Sequence, residues 1–262
     1  MRSVIIDTLM EIWRGKVSYL IFIFFIIGLS HTFGVVHNAK VFFLKEGYSN
    51  KGDFFVILAF LVISFIWKTF ILIFISSFTF SKFSYLKKIS FIFNPINKNK
   101  FLLLRFFTVF ILSICLFFIW NIISFLLFLL FEKIKIEHFL FYAIFEDFLI
   151  TLGTPVSLYF GFYFSPLGLS FLMFIFYFFS SSELFLTPQI YINFPFYIKN
   201  LLKIMPNFMS LVSYFPFKYM KVPQNSIDIT PNFYDFYFFL ILSISFFIFS
   251  FKKINKLECD VF

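Results

Sequence analysis

Long apolar runs separated by short basic or proline-containing segments make up this chain. Six runs are long enough to cross a bilayer core as helices, which requires about 20 mostly apolar residues. They cover residues 17–37, 54–80, 101–131, 139–164, 166–186 and 233–251. None alternates apolar and polar residues in the way a transmembrane β-strand does. The pattern predicts an all-α, polytopic membrane protein with six transmembrane helices in a single transmembrane domain, residues 1–262.

The segment before the first run, residues 1–16, has a different pattern. Ile5, Leu9 and Ile12 share one helical face, while charged residues occupy another. An amphipathic helix of this kind lies in the membrane interface and does not cross the bilayer. We therefore expect an N-terminal interfacial helix that leads directly into the first span.

Prolines and glycines interrupt the second half of the chain. Pro155 predicts a kink in the fourth run, and Gly161 with Pro166 predicts a break between the fourth and fifth runs. Residues 187–232 combine many aromatic residues with repeated prolines, which are Pro188, Pro195, Pro206, Pro216, Pro223 and Pro231. We expect short broken helices there, forming an outer re-entrant or loop segment before the last span.

The composition agrees with lipid surroundings and argues against a nucleic-acid partner. The chain is 61% hydrophobic and only 13% charged, whereas soluble domains carry about 25% charged residues. The net charge is +9, but the basic residues cluster beside the apolar runs and form no stripe with stacking aromatics. Abundant Phe, Ile, Lys and Asn with almost no Ala indicate AT-rich codon usage, which is compatible with a bacterial or an organellar gene.

The distribution of basic residues predicts the orientation. With the N-terminus inside, twelve Lys and Arg residues flank the spans on the inner side and nine on the outer side. The inner segment 81–100 contains no acidic residue, whereas the outer segments contain several. Since basic flanks stay on the inner side, we expect both termini there.

Three ionisable residues, Lys68, Glu146 and Asp147, lie well inside the apolar runs, and Asn121 is a neutral polar companion. A charge at the bilayer centre costs about 2.5–3.5 kcal/mol on insertion scales. In one arrangement Lys68 pairs with Glu146 or Asp147 across a helix interface, which offsets this cost. In the other, the two acids lie near the outer interface and Lys68 extends its stem toward water.

No catalytic signature is present in the sequence. There is no phosphate-binding loop, His138 does not begin a zinc-binding His-Glu-x-x-His pattern, and Gly168-Leu169-Ser170 lacks the closing glycine of a nucleophile elbow. Cys115 and Cys259 form no metal-ligand spacing. We therefore expect no catalytic residue, no metal site and no cofactor in this chain, and no enzymatic activity of its own.

The inner segment carries a resemblance to a known family. It is basic, includes Lys87 and Lys88, and turns at Asn94-Pro95-Ile96-Asn97-Lys98. This turn resembles the Pro-Ile/Val-Ser-Arg type turn of ABC-2 type permeases, the membrane subunits of bacterial ATP-driven exporters. The start Thr8-Leu9-Met10-Glu11-Ile12-Trp13-Arg14-Gly15-Lys16 and the last span followed by Lys252-Lys253 are also similar to that family.

The resemblance implies an export permease subunit in the bacterial cytoplasmic membrane. Residues 1–16 would be the interface helix and residues 81–100 the inner-side coupling loop. Both would contact a separate ABC ATPase subunit that binds ATP and Mg. The implied contact residues are Glu11, Arg14, Lys16, Lys87, Lys88, Pro95 and Lys98. A second permease subunit, identical or related, would complete a homodimer or heterodimer. The substrate path between the two subunits, lined by the second and fifth spans, would open by alternating access.

Three other functions are compatible with the sequence. The membrane core subunit of the twin-arginine translocase also has six spans and a similar start, and Leu186-Thr187-Pro188 is similar to its Leu-Thr-Pro. Its proline-rich first outer loop has no counterpart between Asn38 and Asp53. An organellar gene would instead allow a structural subunit of a respiratory-chain or ATP synthase complex in the mitochondrial inner membrane. A lipid-modifying enzyme would depend on the few acids and the histidine at 132–138.

Overall fold

A computed structural model of the chain describes residues 2–14, 16–45, 52–81, 98–132, 139–180 and 233–256. These residues are almost entirely helical and include no β-strand. Helices satisfy their backbone hydrogen bonds internally, which is the requirement for a chain that crosses lipid. The prediction of an all-α polytopic membrane protein is confirmed.

The helices follow the apolar runs closely. They are α1 (Arg2–Arg14), α2 (Lys16–Lys45), α3 (Gly52–Phe80), α4 (Lys98–Leu127), α5 (Phe139–Thr151), α6 (Thr154–Phe160), α7 (Pro166–Ser180) and α8 (Phe233–Lys256). A π-helical turn, Phe128–Glu132, extends α4. Several helices extend beyond the predicted spans: α2 continues past residue 37 and α8 past residue 251, and α4 begins inside the predicted 81–100 loop.

Among the described residues, five stretches are long and apolar enough to cross a membrane. They are Ser18–Val41, Ala59–Phe80, Asn99–Leu130, Ala143–Phe160 and Phe236–Ile254. The fifth predicted span, 166–186, is described only as far as Ser180, and α7 has 15 residues. The remainder of that span and the predicted outer segment 187–232 lie outside the described residues.

Helix α3 is the central element of the bundle. Helices α2, α4, α5, α6 and α7 all pack against it, and no residue between 59 and 80 is exposed. Against α2, the ring of Phe24 stacks on Phe70 and Phe74, with centroid distances of 6.1 and 5.0 Å. At Gly28 of α2 the absent side chain lets Trp67 and Trp120 approach the backbone.

The fourth predicted span is broken two residues before Pro155. Proline has no N–H and cannot donate to the carbonyl four residues earlier, so α5 ends at Thr151 and α6 begins at Thr154. Side chains from neighbouring helices bind the carbonyls at the break. Tyr177 of α7 donates to the Ile150 oxygen at 2.6 Å, and Ser243 of α8 donates to the Leu152 oxygen. The break is therefore compatible with an apolar environment.

Helix α1 is amphipathic, and Ile12 of its predicted apolar face packs in the core of the bundle. Val4, Thr8 and Ile12 are buried, whereas Ile5 and Leu9 are exposed. Thr8 can be buried because its hydroxyl donates to the Val4 carbonyl oxygen at 2.8 Å, which satisfies it within the helix.

Candidate functional site

Three central helices bring five polar side chains together inside the bundle. Ser64 and Lys68 lie one turn apart on α3, Asn121 lies on α4, and Glu146 and Asp147 lie on α5. Four of the five are fully buried, and Asp147 is 5% exposed. We call these five residues the charged cluster.

The ammonium group of Lys68 contacts three of the other four members of the charged cluster. Its Nζ donates to Asn121 Oδ1 at 2.8 Å, to Asp147 Oδ1 at 2.6 Å and to Glu146 Oε2 at 3.2 Å. An ammonium group has three hydrogens to donate, so these contacts use its full capacity. The ring of Phe117, one turn before Asn121, lies 6.0 Å from the same nitrogen.

The carboxylates of Glu146 and Asp147 have different hydrogen-bond donors in addition to Lys68. The second oxygen of Asp147 accepts from Asn121 Nδ2 at 2.7 Å. Both oxygens of Glu146 lie near the Ser64 hydroxyl, at 2.8 and 2.9 Å. Asp147 therefore has two separate donors, whereas Glu146 shares one hydroxyl hydrogen and has the longest of the Lys68 contacts.

The charged cluster lies deep within the helical layer. Lys68 is 16 residues from Gly52 and 12 from Phe80, or about 24 and 18 Å along α3 at 1.5 Å per residue. This places it near the middle of a hydrocarbon core about 30 Å thick. Buried ion pairs contribute little net stability, and ionisable groups at this depth usually have a functional role.

Of the two arrangements that the sequence allows, the structure shows the paired one. The alternative, with the acids at the outer interface and Lys68 extended toward water, is wrong, because all three side chains are buried against one another. Lys68 contacts both acids, so the choice between Glu146 and Asp147 does not arise. Ser64 is the member that the sequence did not indicate.

Glu11 is the only predicted ATPase-contact residue whose side chain the structure describes. Its carboxylate pairs with Arg105 of α4 at 2.5 Å, and Arg105 also donates to the Thr79 carbonyl at 2.9 Å. This contact joins α1 to α4 and to the end of α3. Lys87, Lys88 and Pro95 lie outside the described residues, as do the side chains of Arg14, Lys16 and Lys98.

The surface of the bundle also has a concave region between α1, α2 and α4. It is a half-open groove of about 710 Å³, lined mainly by apolar side chains such as Trp13, Phe22 and Leu116. Among the described residues, its lining includes no acidic or basic side chain. Within the described part of the chain, no group of three His, Cys, Asp or Glu residues could hold a metal ion. The charged cluster is therefore the stronger candidate site.

Comparison with known proteins identifies no relative. No family model matches the sequence, and neither a curated protein nor a solved structure matches it. The class of the protein is therefore defined by its fold: an all-α, multi-pass membrane protein with a buried charged cluster.

Proposed function

We propose that this chain is the core subunit of a membrane translocation complex that works without a dedicated ATPase, comparable in kind to the membrane core of the twin-arginine translocase. The observation that carries the proposal is the burial of most of α3 by its own chain. Most residues between 59 and 80 are buried and the others are half-buried, and α2, α4, α5, α6 and α7 of the same chain pack around them.

This burial leaves little of the second span free to line the substrate path expected of an ABC-2 permease. A path between two subunits, lined by their second and fifth spans, requires each span to have a face that its own chain leaves free. Helix α7, the fifth span, has such a face, which includes Leu167 and Phe171. Helix α3, the second span, has only a half-buried stripe, which includes Ile63, Phe70 and Phe74. A core subunit built around α3 would instead offer the exposed faces of α2, α4 and α8 to its partners.

The charged cluster supports a role in translocation more generally. Ionisable residues inside a span mark pathways and relays more often than they stabilise a fold. Here they join the second, third and fourth spans, so a change in their charge would alter the packing of three helices at once.

A permease subunit of an ABC-2 type exporter is the second candidate. The Glu11–Arg105 ion pair favours it, because it links the interface helix to the third span directly after the predicted coupling loop. Movement of an ATPase bound at 81–100 would reach α1, α3 and α4 through this contact. The membrane would be the bacterial cytoplasmic membrane, or the mitochondrial inner membrane if the gene is organellar, with both termini on the inner side.

Co-purification of the tagged full-length chain in mild detergent tests the two functions. The core-subunit proposal expects other membrane proteins and no stoichiometric ATPase in the mass spectra. A stoichiometric soluble protein with a phosphate-binding loop would contradict it and support the permease. The matched control is the variant Lys87→Glu/Lys88→Glu/Lys98→Glu, which should release an ATPase but leave membrane partners bound. A chain that purifies without any partner would contradict both functions.

A further inference from the structure

The charged cluster contains one anion more than it contains cations. Lys68 is its only cation, while Glu146 and Asp147 are both acids, and no other basic side chain among the described residues pairs with either acid. With all three groups ionised, the cluster would carry a net charge of −1 in a buried site. An uncompensated buried charge is strongly unfavourable, so a positive ion must bind there for the cluster to be neutral.

We propose that the charged cluster is a reversible proton-binding site and that Glu146 is the residue that carries the proton. The proton is transferred from a hydronium ion in the surrounding water: one O–H bond of the hydronium ion breaks to leave water, one O–H bond forms on the Glu146 carboxylate, and the net charge of the cluster changes from −1 to 0. No other bond is made or broken. This proposal concerns the same residues as the proposed function but does not depend on the identity of the translocated substrate.

The hydrogen bonds select Glu146 over Asp147. Asp147 holds the shortest contact with Lys68, at 2.6 Å, and a separate amide donor from Asn121, at 2.7 Å. Two donors on different oxygens, one of them charged, stabilise the ionised form. Asp147 is therefore the counter-ion of Lys68, and the excess charge falls on Glu146.

Ser64 makes protonation of Glu146 reversible. A hydroxyl can donate one hydrogen bond and also accept one. When Glu146 is ionised, Ser64 donates to its oxygens, as observed at 2.8 and 2.9 Å. When Glu146 is protonated, its new O–H can donate to the Ser64 oxygen. Both states therefore keep a hydrogen bond between the two side chains.

The surroundings favour a proton over a metal cation. The charged and polar groups that face Glu146 are Ser64 and Lys68 from α3 and, within its own cluster, Asp147 and Asn121. Metal cations such as Ca²⁺ take about six to eight oxygen ligands, and five of the six side-chain oxygens in the charged cluster already accept hydrogen bonds from Lys68, Asn121 or Ser64. A bound metal ion would also lie beside the Lys68 ammonium group, whose charge would repel it.

Infrared spectroscopy of the purified full-length chain in lipid nanodiscs tests the proposal. We expect the C=O stretch of a protonated carboxylic acid to appear reversibly as the pH is lowered. This band should be lost in Glu146→Gln, which keeps the size of the side chain. It should remain in Asp7→Asn, which removes an exposed carboxylate of α1. A Glu146→Gln spectrum identical to the wild type would overturn the proposal.

A milder pair of variants keeps the test decisive if Glu146→Gln does not fold. Ser64→Ala removes the hydroxyl donor to the ionised carboxylate, so the midpoint of the band should move to higher pH. Ser76→Ala is the control, because Ser76 is buried on the same helix but bonds to Ser157 at 3.1 Å, and its midpoint should not move. Equal midpoints in the two variants would overturn the assignment. A midpoint that moves when sodium replaces choline would show a metal-cation site instead of a proton site.

Discussion

Lys68 is the one cation among the described residues that contacts both buried carboxylates of the charged cluster, which makes it the most sensitive single position there. Replacing it with methionine leaves Glu146 and Asp147 together without a cation. Breaking a buried ion pair in this way costs about 3–5 kcal/mol. We therefore expect Lys68→Met to lower the free energy of unfolding by that amount, measured by thermal or denaturant unfolding in detergent.

Two comparison variants separate the effect of the buried charges on stability from the effect of side-chain packing. Lys252→Met changes an exposed lysine of α8 and should shift stability by less than about 0.5 kcal/mol. The triple variant Lys68→Met/Glu146→Gln/Asp147→Asn removes all the charge and should recover most of the loss. Equal stability of Lys68→Met and Lys252→Met would show that the ion pairs do not hold these helices together.

The sequence was sufficient to identify four members of this cluster but not the fifth. Lys68, Glu146 and Asp147 stand out because a charge in an apolar run is rare and costly. Ser64 does not, because hydroxyls in these helices commonly bond to their own backbone. Thr32, for example, donates to the Gly28 oxygen at 2.7 Å. The one available signal was the spacing of four residues between Ser64 and Lys68, which places both on one face of a helix.

At the scale of single helices, the close approach of α2 to α3 and α4 depends on Gly28. A Cβ atom there would lie 2.5 Å from Trp120 Cη2 and 2.8 Å from Trp67 Cγ. Because Trp120 is fully buried, the ring has little space to move away. We expect Gly28→Ala to lower the free energy of unfolding by about 1–3 kcal/mol, as overpacking does.

Gly34 provides the matched control on the same helix. A Cβ atom at this position has no neighbour within 4 Å, and alanine is a better helix former than glycine by about 1 kcal/mol. Gly34→Ala should therefore be neutral or slightly stabilising in the same thermal unfolding assay. If both variants unfold at the same temperature, the α2 contact is looser than the structure shows.

The break before Pro155 should depend on the hydroxyl of Tyr177. Tyr177→Phe removes the donor to the Ile150 oxygen while leaving the ring in place. The loss of one hydrogen bond costs about 1 kcal/mol, and the Gly153 N–H still reaches the same oxygen at 3.2 Å. We expect a loss of that size in unfolding measurements. Tyr237→Phe, at an exposed tyrosine of α8, should have no effect.

Helix positions could be predicted from the sequence better than helix faces could. The apolar runs give the positions of the described helices, although α2 ends eight residues beyond the predicted span, and Pro155 gives the break, because both follow from local chemistry. The buried face of α1 could not be obtained in this way. It depends on which neighbours the helix meets and on a threonine that satisfies its own hydroxyl. The Glu11–Arg105 pair joins residues 94 positions apart, and no local pattern indicates it.

At the scale of the whole molecule, the number of crossings decides the positions of the two termini. The five long apolar stretches give an odd number of crossings, which would place the termini on opposite sides of the membrane. Helix α7 would be the sixth. Its 15 described residues extend about 22 Å, which is shorter than a hydrocarbon core of about 30 Å. The six further residues of the predicted span, 181–186, would supply the missing length.

We therefore expect six crossings and both termini on the same side, in agreement with the distribution of Lys and Arg. Cys259 can report the C-terminus, after Cys115 is replaced by alanine, and Ser3→Cys can report the N-terminus in a Cys259→Ser background. A membrane-impermeant maleimide added to sealed vesicles should label both positions or neither, and should label both after permeabilisation. Labelling of only one terminus in sealed vesicles would show that α7 does not cross, so that the chain has five spans.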